Sequence, residues 1–207
     1  SVRLLVEDSM FIPEQNFLQE TIKGLIGKSL SEERVADGGK RLIRLRRGNQ
    51  EPEGYKLQVS ASEIIIEAAT GAGMFYGIQS LRMTIPPYLW ARVQKSVPVP
   101  AIRVEDAPRF SHRAFMLDVV RNFHSKQQLK KIIDLLALYK INVLHLHFSD
   151  DEGWRVEIPS LPELTQVGAR RGHSATEENF LQPAFGSGPE VISLTGSGHY
   201  SRTDFVE

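Results

Sequence analysis

The stretch from 114 to 148 constrains the fold most. Ala114–Val120 reads Ala-Phe-Met-Leu-Asp-Val-Val, as a strand buried on both faces of a parallel sheet would. Ser125 follows, with Gln128 three residues on, so each side chain can satisfy the other's main-chain N–H at a helix start. Leu129, Ile132, Ile133, Leu136 and Tyr139 then mark one helical stripe, with lysines on the other side. Ile141–Phe148 is a second apolar run. Strand, helix, strand in this order predicts a right-handed βαβ unit with both strands pointing the same way.

Ligands bind at the C-terminal ends of such strands, whether the sheet is open or closed into a barrel. The first strand ends in Arg121-Asn-Phe-His124. The second ends in Ser149-Asp150-Asp151-Glu152-Gly-Trp154. A cation and an acidic cluster therefore share one rim. A guanidinium donates hydrogen bonds from a fixed fork and a carboxylate accepts them, which together suit a polyhydroxylated ligand. Trp154 offers an apolar face for a sugar ring, or packs internally. Arg121 and Asp150 read equally as a rim salt bridge without a ligand. Asp118, inside the strand, reads as a paired structural group. Arg46-Arg47 and Arg170-Arg171 read as solvated charges. His145 and His147 share a face, since strand side chains alternate. Two open readings follow. The pair is hydrogen-bonded structure, or it ligates a metal with help from His124, Asp150 or His173.

The first hundred residues alternate strand-like and helix-like stretches. Val2–Val6 is a short apolar run. Pro13 suits a first helical position, and Leu18, Ile22, Leu25 and Ile26 follow at helical spacing. Leu42–Leu45 alternates with arginines, as in an exposed strand. Tyr55, Leu57 and Val59 predict a half-buried strand, and Glu63–Ala68 a strand covered on both faces. Met74, Ile78, Leu81 and Ile85 describe a helix face that Pro86-Pro87 stops. The whole predicts a small α/β domain, its strands paired mostly as hairpins with helices over one face. Val97-Pro-Val-Pro100 is a stiff link, which puts one domain at 1–100 and a second at 101–207. At the far end, Thr203 is an N-cap candidate for a helix that begins as the chain stops, which reads as an interruption of a longer chain.

Composition narrows the partners. Twenty-five basic residues balance twenty-five acidic ones, so charge gives no reason to expect nucleic acid. No run approaches the roughly 18–20 apolar residues a membrane span needs. The absence of cysteine rules out disulfides, thiolate metal sites and a cysteine nucleophile.

Three stretches resemble glycoside hydrolase family 20, the β-N-acetylhexosaminidases. They are Asp106–Arg113 with Met116–His124; Tyr139-Lys-Ile-Asn142-Val-Leu-His-Leu-His147-Phe-Ser-Asp150-Asp151-Glu-Gly-Trp-Arg155; and Pro159–Gly168. The helix from Gly73 to Pro87 resembles the last helix of that family's small N-terminal domain. The resemblance implies a small α/β domain followed by the first strands and helix of a (β/α)8 TIM barrel, truncated here, with 169–200 as the long loop after the second strand. It implies removal of terminal N-acetylglucosamine or N-acetylgalactosamine from a glycan, without cofactor or metal. In the implied mechanism the sugar's own acetamido oxygen attacks the anomeric carbon, a glutamate protonates the leaving oxygen, and an adjacent aspartate steadies the intermediate.

Residue by residue, Arg121 matches the arginine that holds the terminal sugar's hydroxyls, Asp150 an aspartate sharing that task, and His147 an orienting histidine beside the pocket. Asn122 stands where the family usually has histidine. The adjacent Asp-Glu catalytic pair belongs after the fourth barrel strand, so no catalytic residue is expected here. Neither Asp151-Glu152 nor Glu7-Asp8 is that pair. The segment alone is expected to be inactive, and to need the rest of its barrel or a partner chain over its apolar surface. Glycan substrates of this kind point to a periplasmic or extracellular setting. The competing functions are a metal-dependent barrel hydrolase built on His145 and His147, and a carbohydrate-binding module that never held the pair.

Overall fold

A computed structural model describes residues 2–33, 41–173, 179–183, 192–193 and 196–206. The chain is mixed α/β and divides into two compact units, Ser1–Ser111 and His112–Glu207.

The first unit is a six-stranded sheet. Its strands are β1 (Val2–Val6), β2 (Ser31–Glu33), β3 (Arg41–Arg47), β4 (Tyr55–Val59), β5 (Glu63–Ala68) and β6 (Ile102–Asp106), in the order β2-β1-β3-β5-β4-β6. Helices α1 (Ile12–Ile26) and α2 (Gly71–Met83) accompany them. The expected run of hairpins is not what forms. β1 pairs parallel with β2 and β3, and β3 pairs parallel with β5, while β4 runs antiparallel to β5 and β6. Parallel neighbours need crossovers instead of tight turns, and α1 is the crossover from β1 to β2.

Register shows why this sheet has one apolar face. Leu4, Ile43, Leu45, Leu57, Val59, Ile66 and Ala68 lie together in one core with Phe11, Leu18, Met74 and Ile78 from the helical side. Met74 and Ile78 are fully buried, a burial that contributes about 2 kcal/mol each. The opposite face carries charge. Arg44 pairs with Glu63 and Glu7, Arg46 with Glu67, and Lys56 with Glu105. This corrects three expectations. Leu42–Leu45 is not an exposed strand, because β3 sits inside the sheet and Leu42, Ile43 and Leu45 are buried. Arg46 is paired across strands, not simply solvated. Nor is β5 covered on both faces, since its two glutamates look out with the arginines.

Helix α2 starts where Thr70 Oγ1 accepts from Gly73 N. It lies unusually close to the sheet. A Cβ on Gly73 would stand 2.3 Å from the Gly54 carbonyl oxygen, and one on Gly77 2.4 Å from Ile66 Cγ2. Phe17 of α1 packs tilted against Phe75 of α2 at 4.9 Å between ring centres.

The second unit opens with β7 (Ala114–Asp118), α3 (Lys126–Leu138) and β8 (Val143–His147), and β7 and β8 pair in parallel with Asp118 opposite His147. The predicted capping box forms, with Ser125 Oγ accepting from Gln128 N and Gln128 Oε1 from Ser125 N. The strands are shorter than the apolar runs. Val119 and Val120 lie beyond the strand, though Val119 N still donates to His147 O at 3.3 Å, and Ile141 N closes the helix end by donating to Leu136 O. Between them Lys140 holds a left-handed backbone, φ 60°, and its carbonyl accepts from Arg113 Nε. β7 is not buried on both faces: Phe115 and Met116 are exposed, as are Ile133 and Leu135 of α3. Two strands and one helix leave each layer without a second cover. At the far end Ser201, not Thr203, caps a short 3-10 turn over Arg202–Phe205, because Asp204 stands three residues after Ser201 and returns its hydrogen bond.

Candidate functional site

The ends of β7 and β8 lie side by side, so the residues just beyond them converge. Asp118 closes β7. Its Oδ1 accepts from the main-chain N–H groups of Val120 (2.9 Å) and Arg121 (3.1 Å), which bends the chain and turns Arg121 back over the strand end. Beyond β8 a tight hairpin, β9 (Ser149–Asp150) with β10 (Gly153–Trp154), carries the acidic cluster. Asp150 Oδ1 accepts from Glu152 N at 2.7 Å, the side-chain turn that short carboxylates favour. That leaves Asp150 Oδ2 pointing at His147 Nε2, 2.9 Å away.

Arg121 reaches into this cluster with all three of its nitrogens. Nη1 lies 2.5 Å from Asp118 Oδ2, Nη2 3.5 Å from Asp150 Oδ2, and Nε 3.5 Å from Glu152 Oε1. Its side chain is 56% exposed, against 13% for Asp150. The carboxylate is thus sheltered and the guanidinium faces outward. The other oxygen of Glu152 lies 3.5 Å from Arg171 Nη2. One line of alternating charge runs from Asp150 through Arg121 and Glu152 to Arg171, with the His147 ring hydrogen-bonded to Asp150 at its start.

Burial pushes the Asp118 and Asp150 carboxyls up. For Asp118, hydrogen bonds from the Arg121 side chain and from main-chain N–H groups outweigh that. For Asp150, the His147 ring, the Glu152 N–H and then Arg121 do so. Both carboxyls end below their ordinary value. Arg121 is raised, chiefly by its hydrogen bond to Asp118. Asp118 and Asp150 are therefore carboxylates and Arg121 a cation at neutral pH. Together they can grip hydroxyls through donors and acceptors, and neither of these two carboxyls is poised to release or take a proton there.

The other candidates fall out as follows. The Trp154 indole donates to the carbonyl of its neighbour Val156 at 2.5 Å. His145 stands exposed on β8. Among the described residues, no three His, Asp or Glu side chains gather as a metal site. Asp151 is exposed at the hairpin tip. Arg171 corrects the expectation of a solvated charge: it is 3% exposed, donating to Gln182 O at 2.7 Å. Glu152 and Arg155 had no assigned role. Arg155 is fully buried and serves main-chain carbonyls, a role that leaves no mark in residue spacing.

The domain 2 model of glycosyl hydrolase family 20 matches residues 1–107, and that family's catalytic domain model matches 110–207. The chain belongs to glycosyl hydrolase family 20. The N,N'-diacetylchitobiase of Vibrio harveyi is 44% identical over 153 residues, 74% of this chain and 16% of that protein. The β-N-acetylhexosaminidase of Cellulomonas fimi is 37% identical over 185 residues, 87% of this chain and 36% of that protein. Among solved structures, a family 20 exo-β-N-acetylglucosaminidase from Vibrio harveyi, in complex with N-acetylglucosamine, superposes with TM-score 0.80 at 32% identity, over 98% of this chain and 29% of that one. The family 20 enzyme of Streptomyces coelicolor A3(2) gives 0.78 at 33% identity, over 99% and 38%. This family 20 chain thus spans from 16% to 36% of the length of these two curated relatives.

Proposed function

We propose that this chain supplies part of the sugar-binding site of a β-N-acetylhexosaminidase that removes terminal N-acetylglucosamine or N-acetylgalactosamine from glycans. We assign the first unit to the small α/β domain and read β7, α3 and β8 as the opening of a (β/α)8 barrel. The carrying observation is the convergence of Arg121 and Asp150 at the ends of two parallel strands, 3.5 Å apart, with the guanidinium turned outward. In this reading Arg121 donates to adjacent hydroxyls of the terminal sugar. Asp150 accepts from one of them, and His147 holds Asp150 in place. The sugar's acetamido oxygen is the nucleophile, so binding geometry and electrostatics carry much of the rate. The protonating glutamate and its aspartate neighbour come from outside these residues.

The test is hydrolysis of p-nitrophenyl N-acetylglucosaminide by the full-length protein. Wild type should release p-nitrophenol, and Arg121→Ala should cut kcat/KM by about 100-fold or more, the loss expected when charged hydrogen bonds to substrate are removed. Residues 1–207 alone should release none. A full-length protein that is inactive on this substrate, or indifferent to Arg121→Ala, would refute the proposal.

A further inference from the structure

Arg155 follows Trp154, the last residue of the acidic hairpin, and is wholly buried. A guanidinium has five N–H groups, and this one spends all of them on main-chain carbonyls. Nε donates to Val119 O at 3.0 Å. Nη1 donates to Ala169 O at 2.9 Å and Gly198 O at 3.0 Å. Nη2 donates to Val120 O at 2.5 Å and Gly196 O at 2.9 Å. The Phe123 ring lies 5.7 Å from the guanidinium carbon. Burial lowers the Arg155 pKa to about 10, so the cation persists at neutral pH.

Two of those carbonyls belong to the peptide units that lead into Arg121. The same two units present their N–H groups, at Val120 and Arg121, to Asp118 Oδ1. Each of these peptide planes is therefore held at both edges, by Arg155 on the oxygen side and Asp118 on the nitrogen side. Planar peptides leave only φ and ψ free, so holding both planes restricts the direction in which residue 121 leaves the backbone. The far side of the fork ties them to Ala169, Gly196 and Gly198. Arg155's own carbonyl accepts from Tyr200 N at 2.8 Å.

We infer that Arg155 is a positioning residue that aims Arg121 at the substrate sugar by fixing the carbonyls of Val119 and Val120 against those of Ala169, Gly196 and Gly198, an inference that rests on the hexosaminidase reading above. Arg155 touches no sugar. Lysine cannot replace it, because three donors on one nitrogen do not span the fork.

A double-mutant cycle on the full-length protein with p-nitrophenyl N-acetylglucosaminide tests this. Arg155→Lys should raise KM about tenfold while kcat stays within about threefold, since small misplacements of a binding group are felt strongly. In an Arg121→Ala background the same change should move KM by less than about twofold, because coupled residues are not additive. Phe123→Leu loosens the guanidinium without orphaning a carbonyl. It should raise KM about threefold and lose that effect beside Arg121→Ala. If Arg155→Lys fails to fold, Phe123→Leu decides. Equal effects in both backgrounds, a loss confined to kcat, or an unmoved KM in an active protein overturns the inference alone. A wild type without turnover overturns the hexosaminidase reading, and this inference with it.

Discussion

The two units hold themselves together in different ways. The first buries hydrocarbon: Leu4, Phe11, Leu18, Leu45, Leu57, Ile66, Met74 and Ile78 are each no more than 1% exposed. The second leaves most of its apolar side chains only partly covered, with no fully buried residue on α3. Its tightest point is a cation among carbonyls. Hydrocarbon burial is non-directional and tolerates some sliding. Five directed hydrogen bonds do not. Among the described residues, the first unit's charges pair across an open sheet face, whereas the unit with the rim is built around fixed directions.

Breaking the hub should show the largest effect. Arg155→Met removes one donor from each of five main-chain carbonyls, of which Ala169 O keeps Gly198 N, and buried polar groups left unpaired cost about 1–3 kcal/mol each. The second unit should lose its cooperative melting transition in calorimetry while the first keeps its own. A single common transition that shifts as one would dissolve the contrast. Next comes close packing in the first unit. Gly73→Ala drives a methyl into the Gly54 carbonyl and should cost about 3 kcal/mol, read from chemical denaturation.

Asp118→Asn should cost about 1–2 kcal/mol at neutral pH, as a charged hydrogen bond becomes a neutral one. It should also flatten the acid response. A carboxyl held below its unfolded value contributes stability above that value and loses it as pH falls through the folded pKa. Wild type should therefore melt progressively lower below about pH 4, more steeply than Asp118→Asn. Parallel pH profiles for the two would remove Asp118 from the account. The smallest effect is Ser125→Ala, which removes one side of the α3 capping box and should cost about 1 kcal/mol in the second unit.

The βαβ unit was legible because each part has its own local signal: apolar runs for the strands, a reciprocal cap and a stripe for the helix. The convergence of Arg121 and Asp150 followed from one topological rule about strand ends. The pairing of β3 was harder to see, because arginines in a central strand look like solvent exposure until the glutamates of β5 and β1's end are placed beside them. Hairpins were expected where crossovers form, since nothing local in Val2–Val6 or Arg41–Arg47 says which neighbour each will choose. Arg171 and Arg155 were illegible for a stronger reason. Arg155 satisfies main-chain carbonyls, and every residue type supplies one. The choice between Thr203 and Ser201 turned on where the reciprocating acid stood, a cue that Asp204 did carry.

Lys140 has one more implication. It occupies a backbone shape that a residue without a side chain would take at ease, so Lys140→Gly should leave the native bend intact and relieve its steric cost. Yet glycine would also gain freedom to swing before the chain settles. The corner that steers the chain from α3 into β8 sits where those two tendencies oppose each other, and lysine makes its bend stiff.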